Sequence, residues 1–103
     1  MGVVDLTDID LYPRRYRYHN GHVEIQSLII ENIAGQKEKL IEKKSYLKLG
    51  DSILVSFKFG HNTAKPNEKE CWEDIIISGT YKVTKIVPHE WHNQIELVVE
   101  GEK

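Results

Sequence analysis

Two short stretches of this 103-residue chain share a spacing with the ligand types to hold a metal ion. "YHNGHVEI" carries His19 and His22, "IVPHEWHNQIELVV" carries His89 and His92, and Cys71 lies between them. Zinc takes neutral imidazole and thiolate in a tetrahedron, so two histidine pairs and a cysteine contain enough ligands for one site. The spacing is against it. HEWH is not the HExxH of a zinc-protease helix, and Pro88 directly before it is incompatible with a helix interior. On a strand, residues three apart face opposite sides, so only a turn would bring His89 and His92 together. The chain is therefore expected to hold no metal and no cofactor, with these histidines as polar turn residues.

Nucleophilic and acid–base catalysis find no better support. Cys71 sits in "KECWED" with no nucleophile elbow or oxyanion-hole motif beside it, and reads as a partly buried small residue next to Trp72. The carboxylate pairs Asp8 and Asp10, and Glu73 and Asp74, fall in segments that read as surface arm and loop, which is no basis for a catalytic dyad. No enzymatic activity is expected. The stronger binding signal is "RRYRY", where Arg15 and Arg17 share one face of a strand while Tyr16 and Tyr18 share the other. Arginines on a solvated face can meet phosphate, and small barrels bind single strands on aromatic platforms. With the two residue types on opposite faces, the tyrosines read first as core or interface residues and the arginines as solvent-exposed.

The elements that must position these residues are mostly strands. Asn20-Gly21 is the strongest signal for a two-residue hairpin turn, and it makes His19 and His22 the closing cross-strand pair. Gly50-Asp51 turns into a strand in which Ile53, Val55, Phe57 and Phe59 alternate with polar positions, ending at Gly60. A long polar loop follows over residues 61–74, and then a strand broken by Ser78-Gly79, with Tyr81 and Val83 on one face, and stopped by Pro88. "HEWHNQ" connects to a last strand with Ile95, Leu97 and Val99 inward. Residues 36–48 fit either a charged edge strand turned back at Gly35 or a solvated helical turn with Leu40, Ile41, Lys44 and Leu47 on one side; the β-rich surroundings favour the strand. Residues from about 1 to 13 read as an edge strand or an extended N-terminal arm.

Composition bounds the rest. One domain spanning 1–103 is expected, all-β, a small antiparallel β-barrel or sandwich with at most one short helix. The net charge of −2 excludes a uniformly basic nucleic-acid or membrane binder but not a local basic patch. A lone cysteine forms no internal disulfide, no apolar run approaches the roughly 18 residues of a membrane span, and "MGVVDLTD" has no secretory pattern. A cytoplasmic protein without a targeting peptide is expected.

From Leu47 to Val99 the order of signals is "LGDSILVSFKF", the polar loop, "ISGTYKVTKI" and "IELVV". This order resembles the small barrel of phage tail-hub and baseplate proteins, and related barrels of head–tail connectors. The resemblance implies a non-enzymatic virion or injection-machine component, homo- or hetero-oligomeric, assembled in the host cytoplasm and acting through contacts with other virion proteins. Large aromatics in loops either cap a barrel end or anchor an interface, so Trp72 and Trp91, with Tyr16 and Tyr18, are the candidate partner contacts. The alternative is a small barrel that binds nucleic acid through Arg14, Arg15 and Arg17. A third reading is a phage-encoded inhibitor of a host protein.

Overall fold

The computed structural model describes residues 3–19, 21–31, 33–44 and 47–101, without the side chains of Lys44 and Glu90. The strands are β1 (Val3–Asp5), β2 (Leu11–His19), β3 (His22–Ile30), β4 (Ser52–Asn62), β5 (Trp72–His89) and β6 (Gln94–Gly101); one helix, α1 (Lys37–Lys44), and a 3₁₀ turn at Glu90–His92 complete it. The fold is all-β with one short helix, as composition and periodicity predict. The strands form a single six-stranded sheet in the order β1-β4-β5-β6-β3-β2. Every neighbouring pair is antiparallel except β1 with β4, which is parallel. The sheet curls but its ends are not hydrogen-bonded together, so it is neither a closed barrel nor a two-sheet sandwich.

The curl gathers one face of every long strand into one core. Ile53 and Val55 of β4, Ile77 and Val83 of β5, Leu97 and Val99 of β6, and Ile25, Leu28 and Ile30 of β3 are all buried there. Phe57, Phe59, Tyr81 and Ile95 pack around them, which confirms the inward faces that strict alternation predicts. The expected interruptions do not interrupt. β4 continues past Gly60, and β5 runs unbroken through Ser78-Gly79 and Pro88, because Gly79 at φ +139° bends the strand without losing its pairing to Val55. The polar loop therefore shrinks to residues 63–71.

Of the two alternatives for the N-terminal segment, the structure takes the edge strand: β1 lies along the first residues of β4, and the Leu6 amide donates to the Leu54 carbonyl at 2.9 Å. Leu6 and Ile9 then enter the core, because the polar positions between them, Thr7 and Asp8, stay in solvent. Residues 37–44 are helix, where the β-rich surroundings favoured strand. Lys, Glu and Leu are strong helix formers, and the segment has one residue to bury, Leu40, which a helix turn presents without exposing a backbone edge. Gln36 fastens the helix start: its Oε1 accepts from the Asp10 amide at 2.7 Å and its Nε2 donates to the Glu31 carbonyl. Lys43 pairs with Asp8 at 3.3 Å.

At the β2–β3 turn, His19 stands opposite His22 and Gly21 has φ +78°, as an Asn-Gly hairpin requires; Asn20 itself lies outside the described residues. Leu97→Ala, at a fully buried position, should lower stability by about 2–5 kcal/mol, whereas Leu49→Ala in solvent should change it by no more than about 0.5 kcal/mol. Urea midpoints at constant slope measure both.

Candidate functional site

The sheet carries polar side chains in two groups, one on each face. The first lies on the convex face, away from the core. Register places Glu96 of β6 beside Ile29 of β3 and Val87 of β5, and a bulge in β2 after Pro13 brings Arg14 above it. Glu96 is only 8% exposed. Its Oε1 meets His89 Nε2 at 2.9 Å and Arg14 Nη1 at 3.2 Å. Arg14 Nη1 also lies 3.0 Å from His89 Nε2. An Nε2 proton can donate to Glu96, and the arginine can only donate, so Glu96 Oε1 is the shared acceptor of the three.

Burial pushes the Glu96 pKa up, but the His89 hydrogen bond, the neighbouring Ser27 hydroxyl and the Arg14 charge outweigh it and leave it below the usual carboxylate value. Ser27 is buried against this group, and its hydroxyl has no partner within hydrogen-bond length among the described residues. Beside it Gln94 Nε2 donates to Glu31 and, at 3.1 Å, to the Tyr12 hydroxyl, which itself donates to Glu31 at 3.3 Å.

The second group closes the inner face at the far end of the sheet. Here β2 approaches β4 through side chains alone. Tyr16 sits edge-on to Phe59 at 5.0 Å, and its hydroxyl is hydrogen-bonded to His61 Nδ1 at 2.8 Å. Tyr18 stacks on His61 at 4.4 Å and donates to Glu73 Oε2 at 3.2 Å. Desolvation of the phenol first, and then the Glu73 carboxylate, raise the Tyr18 pKa. Tyr16, Tyr18, His61 and Glu73, with Phe59 behind Tyr16, form a seam between the β2–β3 and β4–β5 hairpins.

The residues singled out by spacing are scattered. His19 and His22 pair at the β2–β3 turn, His89 belongs to the Glu96 group, and Cys71 precedes β5 at its opposite end. Among the described residues no group of three or more His, Cys, Asp or Glu side chains is placed to hold a metal. Cys71 is exposed, not partly buried, because the 63–71 loop projects beyond the sheet. The length of β5 separates it from the oriented imidazole of His89, so the two form no thiol–imidazole pair.

Arg15 and Arg17 are exposed and make none of the ion pairs among the described residues, while Tyr16 and Tyr18 have their rings engaged in the seam. Trp72 opens β5 instead of lying in a loop; it packs over Gly60, and next to it on the same face Ile76 is exposed. Trp91 stands in the 3₁₀ turn between β5 and β6, beside a shallow cleft formed with Pro88, His89 and His92.

Sequence reasoning missed His61, Glu73 and Glu96 as members of these groups. The signal for His61 is its place in the alternation after Phe57 and Phe59, which puts it on the inward face once the strand passes Gly60. Glu96 gives no such signal, since its neighbours come from β2 and β5. No family model, curated protein or solved structure matches the chain.

Glu96 binds its proton more weakly folded than unfolded, so its contribution to stability is present above the ordinary glutamate pKa and is lost as pH falls through the lowered folded value. Glu96→Gln should therefore be about 1–3 kcal/mol less stable near neutral pH and lose less on acidification. Urea midpoints across an acid pH series test this. Tyr16→Phe, which removes the hydrogen bond to His61 but keeps the ring contact, should cost about 0.5–1.5 kcal/mol by the same measurement.

Proposed function

We propose that this chain is a non-enzymatic assembly module that joins two neighbouring protein surfaces. The carrying observation is the placement of its tryptophans. Trp72 is 62% exposed and Trp91 is 98% exposed, and they stand at opposite ends of β5. An exposed indole in water is a large apolar surface without a partner, and tryptophan is among the residues most enriched at interface hot spots. Neither side chain caps the core. Two anchors at opposite ends suit a subunit with two different neighbours better than a protein with one ligand pocket.

The Glu96–His89–Arg14 group does not compete with this reading. A carboxylate-oriented imidazole is half of a general-base arrangement, but no hydroxyl or thiol nucleophile is bonded to His89 among the described residues. Its partners instead satisfy one another and hold β2 against β5 and β6. A virion setting, as a subunit of a phage tail, baseplate or connector, is the form of this proposal that the resemblance from Leu47 to Val99 suggests.

Sedimentation velocity over a concentration series, together with affinity capture from the producing cell, tests the proposal. The chain is expected to self-associate or retain a protein neighbour, with a blue shift in tryptophan emission on assembly. Trp91→Ala and Trp72→Ala should each weaken assembly by about 30-fold, near 2 kcal/mol, without lowering the melting temperature. A strictly monomeric chain that retains no protein and whose emission never shifts overturns it.

A further inference from the structure

We propose that the free edge of β2 accepts an added strand from a protein partner, an extended segment that alternates acidic and apolar residues. This rests on the protein-contact reading above and specifies the partner's chemistry. β2 ends the sheet, with β3 as its one hydrogen-bonded neighbour. In an antiparallel pair alternate residues direct their N–H and C=O groups away from the partner, so an end strand carries a row of backbone groups ready to pair. Across the seam β4 meets β2 by side chains, with no backbone hydrogen bond between them among the described residues.

The side chains along that edge define what can pair there. "LYPRRYRYH" holds Arg14, Arg15 and Arg17 and no acidic residue, in a chain whose net charge is −2. Arg14 is tied to Glu96, but Arg15 and Arg17 are exposed and have no ion pair among the described residues. A strand laid beside β2 sets its residues alternately next to the arginines on one face and next to Tyr16 and Tyr18 on the other. Acidic residues on the first face and β-branched or aromatic ones on the second complement both. A second copy of β2 is excluded, because antiparallel pairing of this strand with itself juxtaposes arginines, and Pro13 and the bulges around Arg15 disrupt its register.

Nucleic acid is the other acidic class, and the geometry disfavours it. Stacking bases on Tyr16 and Tyr18 means pulling both rings off Phe59 and His61 with no backbone bonds in return, whereas an added strand that opens the same seam pairs with the β2 edge. A strand inserted between β2 and β4 needs about 9.6 Å, two strand spacings, so its entry widens the seam and displaces the Tyr18–His61 stack.

Fluorescence anisotropy with a labelled peptide of alternating glutamate and valine tests the proposal. A proline-interrupted version of the same charge and a labelled single-stranded oligonucleotide serve as rivals. The alternating peptide is expected to bind, with at least about tenfold loss in Arg15→Glu/Arg17→Glu and in the proline-interrupted peptide. Hydrogen exchange should show the Tyr16 and Tyr18 amides newly protected in the complex. Tighter binding of the oligonucleotide than of the peptide, equal affinity for both peptides, or unchanged affinity in the double variant each overturns it. Loss of peptide binding with tryptophan-dependent assembly intact removes this inference alone; a peptide-binding chain that never assembles removes the broader reading instead.

Discussion

A single sheet has two faces and must hide one of them, and here it does so against its own curl. Among the described residues no second sheet covers the apolar side, and helix α1 contributes Leu40 alone to the core. The right-handed twist of long strands supplies the curvature, increased by the bend at Gly79 and by the bulges in β2 and β5. Everything else follows from the need to close that curl. At one end Leu6, Ile9 and the helix fill the opening, held by Gln36 and by the ion pair of Lys43 with Asp8. At the other end no backbone bridge forms, and four polar and aromatic side chains do the closing.

That asymmetry separates stability from interaction. The Glu96 group lies over the middle of the convex face, where three strands and a buried serine meet, and its members satisfy one another. Three of the exposed apolar residues lie along β5 and the turn after it: Trp72 and Ile76 near its start, and Trp91 just past its end. A mutually bonded charge group is a poor place for a ligand, since displacing any member leaves a nearly buried carboxylate uncompensated. The Trp91 indole, 98% exposed, has no such commitment. The Trp72 indole is held, among the described residues, only by an exposed hydrogen bond from its Nε1 to Glu70 Oε2 at 3.2 Å and by its contact over Gly60. The molecule thus holds its nearly buried charges in mutual bonds and leaves two large indoles in solvent, which is where the proposed contacts would form.

Legibility in the sequence tracked the range of the interaction responsible. Alternation in Ile53, Val55, Phe57 and Phe59 identified a strand and its inward face, because period two is a property of the strand itself. The Asn20-Gly21 signal placed His19 opposite His22 for the same local reason. Gly60, Gly79 and Pro88 were misread as breaks. Locally each weakens a strand, but the continuous ladder from Ser52–Lys82 to Asn62–Trp72, and the pairing of Pro88 with Ile95, carry the chain through them. Residues 36–48 fit strand or helix by pattern, and the neighbourhood tips the preference to strand, although the composition of residues 37–44 favours the helix they form.

The sequence by itself determined the class of fold, the single core and the separation of Arg15 and Arg17 from Tyr16 and Tyr18, since these depend on turn chemistry and side-chain period within a few residues. The tertiary structure alone decided which polar residues meet. Arg14, His89 and Glu96 come from β2, β5 and β6, and Tyr16, Tyr18, His61 and Glu73 from β2, β4 and β5. Strand order and curl bring them together, and both are settled by long-range pairing that no short stretch encodes. The two histidine pairs that looked alike in spacing were parted for the same reason: one closes a hairpin turn, while His89 of the other is drawn into the Glu96 group.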